Sequence, residues 1–532
     1  MSFHSLRKWA LAIVASIVAS LVLTGCSSGS KGSADLAEGQ CPTVGDLVIS
    51  FVNALGSNGF CLIGGTLTQS AVLPAGTDWR LDGTLQVGSA ASAATLSIQA
   101  GATLRGDADS SVPEYLYVFP GASLLSIGSA SAPIIFSSND DDYDLDPGAN
   151  IGEWGGIIIE ENDSDQGDSR LEYTIVAEAG ALVAVAKGGG GGSIDYTANL
   201  SLQGPHNNTR LRYVQSHASG GDGFYFGSDS DSANNSARAE WLLVTGASRD
   251  GIAYSQFEGL LKDLLVVHAP GEYLDASGLG GRAGIRAAGA DAAPLITNAT
   301  LFGADNENKV VVFAEREFGL LFEDATNKAR LANIAIVNFR NGCYAVESDV
   351  DLSAMLLNAS PVDDTNFVDG VHCINEFIRN DPSDPVFIQS GGAGINLDPA
   401  DPIPLGLQIY APGDASFAGE TSSATDFSAN WYMQAIAGID NENLNRYNDG
   451  DTNDSGAVTT ADKNFRPLFN SDADPLFGGV VVSSVESSRN SSGFDLTVVG
   501  AIRSESASEA AQFDGWILQD GAVDPVVTGF TP

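Results

Sequence analysis

The residues with the clearest chemical spacing lie between Asp451 and Asp462. Asp451-Thr452-Asn453-Asp454-Ser455-Gly456-Ala457-Val458-Thr459-Thr460-Ala461-Asp462 sets oxygen donors at positions 1, 3, 5 and 12 of a twelve-residue loop. Gly456 supplies the sharp turn at position 6, the carbonyl of Ala457 the donor at 7, and Val458 an apolar anchor at 8. Such a cage suits a hard divalent cation. The expectation is a structural calcium ion held by Asp451, Asn453, Ser455, Ala457 and Asp462, with Asp449 as an outer ligand; the alternative is a solvated acidic turn. Asp140, Asp141, Asp142, Asp144 and Asp146 have no fixed ligand spacing and read as a solvated corner.

Paired carboxylates at a set separation are what glycoside cleavage requires. Asp222 and Asp250 each precede a glycine at similar places in adjoining segments, with His217, Arg249 and His268 near in sequence order. An aspartate before glycine is first of all a turn residue. No catalytic residue is therefore assigned, and Asp222 and Asp250 stand as the candidates. Gly278-Leu279-Gly280-Gly281-Arg282-Ala283 fits a dinucleotide fingerprint only superficially, since no apolar strand leads in and no helical pattern follows. No nucleophile elbow, phosphate-binding loop or paired-histidine zinc helix occurs. His206, His217, His268 and His372 are scattered singly.

At the start, Arg7 and Lys8 precede an apolar run of 15 residues from Trp9 to Leu23, then Leu23-Thr24-Gly25-Cys26. The run is shorter than the roughly 20 residues a spanning helix needs. The segment resembles a bacterial lipoprotein signal ending in a lipobox, which implies removal of residues 1–25 and acylation of Cys26. Residues 26–38, rich in Ser and Gly, read as a flexible tether. Ser27 offers no retention signal of the Asp type, so the expected address is the outer membrane, on its periplasmic or surface side. Four further cysteines, Cys41, Cys61, Cys343 and Cys373, can pair in three ways. Proximity favours Cys41 with Cys61 and Cys343 with Cys373, each disulfide contributing about 3 kcal/mol in an oxidising compartment.

The chain has 25 basic and 67 acidic side chains in 532 residues. Loss of Arg7 and Lys8 with the signal takes the formal charge from −42 to −44. Such a field excludes nucleic acid as a default partner and favours divalent cations.

The elements that must position these groups are short. From Cys41 onward, brief apolar or alternating runs are separated by Gly, Asn, Asp or Ser, the mark of many short strands. The runs also repeat. Aligning Arg170-Leu171-Glu172-Tyr173, Arg210-Leu211-Arg212-Tyr213 and Arg238-Ala239-Glu240-Trp241 puts an aromatic side chain in one slot. Leu264-Leu265-Val266-Val267, Ala299-Thr300-Leu301-Phe302 and Ile334-Ala335-Ile336-Val337 continue the series. Irregular intervals suit a parallel β-helix, in which loops of any length leave at the corners. The expected fold is all-β: a right-handed single-stranded parallel β-helix over residues 39–415, with an N-terminal cap near Cys41 and Cys61. Residues 416–532, including a helical-looking Trp431–Ile436 with Ser428 as N-cap, form a small C-terminal appendage. Gly188–Gly192 reads as a corner loop too flexible to pack, and Trp154 as a packing residue.

Ala94–Gly106, Ala132–Ser138, Gly152–Ile159, Tyr213–His217, Asp222–Gly227, Leu243–Gly246 and Arg249–Gly251 resemble a group of exported Gram-negative lipoproteins with a pectin-lyase-like β-helix body. The resemblance implies the fold and the envelope address, and membership of a group in which some chains sit beside TonB-dependent receptors. Where those relatives pair aspartates at coil corners, this chain has Gly221-Asp222 and Arg249-Asp250. The Asp451–Asp462 loop resembles a single dockerin-type repeat. The expected function is binding or scaffolding at the outer membrane through acyl chains. The alternatives are a polysaccharide lyase or glycoside hydrolase, and an accessory partner of an outer-membrane receptor.

Overall fold

The computed structural model describes residues 40–346 apart from 54–58, 109–110, 140–150, 163–166, 187–192, 228–235, 268–280, 304–315 and isolated positions between 325 and 341. Strand backbone is also described at Phe367–Ile374, Phe387–Gln389 and Leu407–Tyr410. The signal segment, the tether, the acidic run from Asp140, the calcium loop and residues 416–532 lie outside the described residues. Chain contacts separate 1–40 from the body that begins at Cys41.

That body is a right-handed parallel β-helix, and no helix occurs among the described residues. Three parallel ladders run through it, one for each face of the coil. In the first sheet, Leu67, Val87, Val118, Ile159, Leu202, Phe226, Tyr254, Ala287 and Phe322 follow one another in register. The second sheet stacks Leu171, Leu211, Ala239, Leu261, Ile296 and Leu331. The third stacks Cys61, Trp79, Leu104, Phe136, Val176, Ser216, Val244, Val266, Leu301 and Ile336.

Alternation along each short strand explains the inner columns. Leu96, Ile98 and Leu104 point inward from Thr95–Ile98 and Thr103–Gly106, while their neighbours are only half-buried. Each fully buried Leu, Ile or Val contributes about 1.5–3 kcal/mol, so stacking rather than strand propensity holds the body together. From Arg170–Ala177 onward the third sheet departs from simple alternation. Its outward residues Ile175, Gln215, Leu243, Leu265 and Thr300 are buried as well.

The corners are set by backbone conformation. Between the second and third sheets, Tyr173, Tyr213, Trp241, Asp263, Asn298 and Asn333 all take positive φ, from 46° to 59°. The aromatic slot of the sequence is thus one left-handed corner, occupied later by Asp and Asn, which tolerate that region best among residues with a side chain. Tyr173 stacks on Tyr213 at 4.5 Å between ring centroids, and Tyr213 on Trp241 at 6.1 Å.

At the N-terminal end, Val48–Val52 pairs antiparallel with residues 60–64 and closes the edge of the third sheet. A disulfide joins Cys41 to Cys61 beside it. Cys343 and Cys373 lie on strands of the first and third sheets, and their side chains fall outside the description.

Candidate functional site

Asp222 and Asp250 open neighbouring strands of the first sheet, with Gly223 and Gly251 next in line. The glycines are required here. A Cβ at Gly223 would stand 2.5 Å from the carbonyl oxygen of Gly251, and one at Gly251 2.6 Å from that of Gly284. The close approach of successive coils brings the two aspartates together, and Asp222 Oδ1 accepts the backbone N–H of Asp250 at 3.2 Å.

The ladder continues through later coils. Asp250 Oδ1 accepts the Ala283 N–H at 2.9 Å, and Oδ2 accepts from Arg286 Nη1 at 2.8 Å. Arg286 Nη2 donates to Glu323 at 2.9 Å. At the other end Arg249 Nε lies 3.7 Å from Asp222 Oδ1, while its Nη1 donates to Thr197 Oγ1 at 2.7 Å. Asp250 is 0% exposed and Asp222 5%.

Burial pushes the Asp222 carboxyl above its ordinary value against the pull of Arg249 and Arg286. Burial also lifts Asp250 to about 6; Arg286 opposes the shift and the neighbouring Asp222 charge adds to it. Arg286 is held more firmly protonated than usual by Asp250 and Glu323, which outweigh its own burial. A carboxyl near 6 is poised for acid–base work in principle. Here both oxygens of Asp250 already face protein donors, and no face of it meets solvent. The arrangement is an ion-pair staple through successive coils.

The other candidates do not join it. His217 is buried and its Nδ1 lies 2.8 Å from Thr245 Oγ1. His206 is also buried, its backbone N–H donating to Glu161 at 2.7 Å. Thr209 Oγ1 donates to the same carboxylate, and burial pushes Glu161 above its ordinary value. His268 is outside the described residues, as are the side chains of His372 and Arg282. Gly281–Ala287 is a strand of the first sheet rather than a nucleotide turn. Trp154 is buried with Nε1 bonded to the Ala177 carbonyl at 2.8 Å, a packing role.

One feature of the first sheet's outer face was not legible as structure. The stretches flanking the glycine run form an antiparallel hairpin, Val183–Ala186 with Ser193–Tyr196. Val183, Val185 and Tyr196 pack on Tyr117 and Ile158. Glu160 fastens the hairpin by accepting the phenols of Tyr117 and Tyr196, each at 2.6 Å. The flanks of Gly188–Gly192 therefore pack, because alternate Val and Tyr side chains give the hairpin an apolar face, while the glycine run itself lies outside the described residues.

Among the described residues no group of three or more His, Cys, Asp or Glu is arranged to hold a metal ion. Residues 65–382 match the family model of the pectate-lyase-like beta helix domain. Comparison with curated proteins and with solved structures gives no match. The matched span covers more than half of the chain and coincides with the stacked coils, so this chain belongs to the pectate-lyase-like beta helix domain family.

Proposed function

We propose that this β-helix is a binding or scaffolding body of the cell envelope rather than a glycan-cleaving enzyme. The observation that carries the reading is the state of Asp250: wholly buried, with both oxygens bonded to Ala283 and Arg286. A general acid must reach the glycosidic oxygen, and this carboxyl reaches only protein. The stacked coils offer instead long columns of side chains with a fixed repeat, suited to an extended ligand.

The lipobox at Cys26 supports anchoring to the outer membrane through acyl chains, and the loop Asp451–Asp462 supports one structural calcium ion. A polysaccharide ligand accords with the family, and an outer-membrane receptor is the second partner considered. The test is incubation of the purified protein with acidic and neutral glycans, with and without chelator, scoring retention and bond cleavage separately. Retention without cleavage supports binding. Cleavage that disappears in Asp222→Ala and Asp250→Ala overturns it in favour of the lyase or hydrolase reading.

A further inference from the structure

The strand that closes the third sheet, Val48–Val52, has an outer edge of its own. It pairs with residues 60–64 in unbroken antiparallel register, and among the described residues nothing bonds its far side. Such edges are ordinarily blunted by lysine, proline, a bulge or a covering element. Val48-Ile49-Ser50-Phe51-Val52 has no charge and no proline. Ile49 and Phe51 pack on the core and stay half-buried, while Val48 is 67% exposed. At the same end of the stack, Ala71–Leu73 is the first strand of the second sheet and pairs with Thr95–Ile98 alone, leaving Val72 58% exposed.

Charge selects where two copies of this chain can meet. With 25 basic against 67 acidic side chains, like copies repel over most of their surface. Yet from Gln40 to Thr77, the cap and the first coil, Asp46 is the single charged residue. Its carboxylate accepts the backbone N–H groups of Thr68 and Gln69 at 3.0 and 3.4 Å. The strand is also self-complementary. A two-fold axis through Ser50, normal to the sheet, sets Val48 against the copy's Val52 and Ile49 against its Phe51, and keeps the inner residues of both copies on the core side. Aromatic with β-branched is a favoured cross-strand pair, and an isologous contact of this kind closes at two copies. We infer that the N-terminal end is a self-association surface, on which a second copy of this chain adds its Val48–Val52 antiparallel to the first, so that the third sheet runs on from one copy into the other.

The contact is small. Five residues of strand are about 17 Å long, and one added strand pair belongs with the transient interfaces below about 1,200 Å². Association is therefore reversible, rises with protein concentration, and strengthens with salt, which screens the repulsion between the acidic bodies over about 8 Å at physiological ionic strength. The inference stands apart from the ligand reading, since it needs neither a glycan nor an acyl anchor.

The experiment is oxidative crosslinking of purified variants, read on non-reducing gels against the parent protein. Directly opposed residues of an antiparallel pair have Cα atoms about 4.5–5.5 Å apart, inside the range that a disulfide spans. Ser50→Cys should therefore give a crosslinked dimer. Val48→Cys alone should not, because its two copies fall four residues apart, roughly 14 Å, whereas Val48→Cys mixed with Val52→Cys should. Ser50→Lys, which sets two ammonium groups face to face, should abolish the rise in mass with concentration that sedimentation shows for the parent. Ser50 is exposed, and unchanged thermal melting will show that the variants fold. A parent that stays monomeric at every concentration, with no Ser50→Cys crosslink above its own background, overturns the inference. Equal crosslinking by Ser50→Cys and Val48→Cys overturns the two-fold register, and a dimer that survives Ser50→Lys overturns the edge as its seat.

Discussion

Arg286 Nη1 lies 2.8 Å from Asp250 Oδ2, and the pair joins coils that are 36 residues apart in the chain. With Asp250 wholly buried, the guanidinium is its counterion, and removing one partner strands the other. Arg286→Ala should therefore destabilise the protein by about 3–5 kcal/mol. A compensating Asp250→Leu with Arg286→Met should recover most of that loss, since an apolar pair of similar volume leaves no buried charge. Thermal unfolding of the single and double variants checks both statements. A single variant as stable as the parent would show that the staple contributes nothing.

The same carboxyl sets a pH dependence with a definite sign. Burial raises Asp250 in the folded protein from 3.8 to about 6, so between those values the folded state holds a proton that the unfolded state has lost. Stability from this group is full below about pH 4, declines as pH rises toward 6, and is level above it. Asp250→Asn should flatten that segment of the stability profile. The difference between parent and variant, measured by denaturant unfolding at pH 4, 5, 6 and 7, isolates this group from the exposed Asp46 and the half-buried Asp324. Hydrogen bonds lower those two instead, with Thr68 and Thr326 as the respective donors.

How much of this was legible in the sequence depends on whether the determinant was residue type or backbone state. The stacked architecture was legible because alternation and the aligned runs from Arg170, Arg210 and Arg238 are visible as letters. The corner slot was legible only while it held aromatics. Asp263, Asn298 and Asn333 occupy the same left-handed position, yet what persists there is φ, which composition does not display. Asp222 and Asp250 could be placed in adjoining coils, but Arg286 and Glu323 could not be joined to them across loops of irregular length. The hairpin around the glycine run was not legible because Val183–Ala186 is apolar at every position, so its alternation of buried and exposed side chains does not show as letters.

The corner yields a test in which a polar residue outperforms an apolar one. Tyr213 sits at φ 55° between the rings of Tyr173 and Trp241. Replacing it loses stacking worth about 0.5–1.5 kcal/mol per pair beyond the buried area. Tyr213→Asn keeps a residue that accepts the left-handed backbone, as Asn298 and Asn333 do lower in the stack. Tyr213→Val adds the strain of a β-branched residue there. Val should therefore be the more destabilising of the two in thermal melts, despite being the more apolar. The reverse order would remove the backbone account of the slot.

The hairpin offers a local readout. Tyr196 is buried against the first sheet and its phenol reaches Glu160 at 2.6 Å, where Tyr117 supplies the second donor. Tyr196→Phe keeps the ring and its packing on Ile158 but deletes one hydrogen bond to a carboxylate, a loss of about 1.5–3 kcal/mol. Because the contact fastens an outlying element, the loss should appear as faster amide exchange within Val183–Ala186 and Ser193–Tyr196. The coil strands beneath, such as Gly156–Glu160, should keep their protection. Exchange that accelerates equally in hairpin and coils would mean that the hairpin opens only with the whole stack, so that the Glu160 clasp belongs to the global fold rather than to a separable flap.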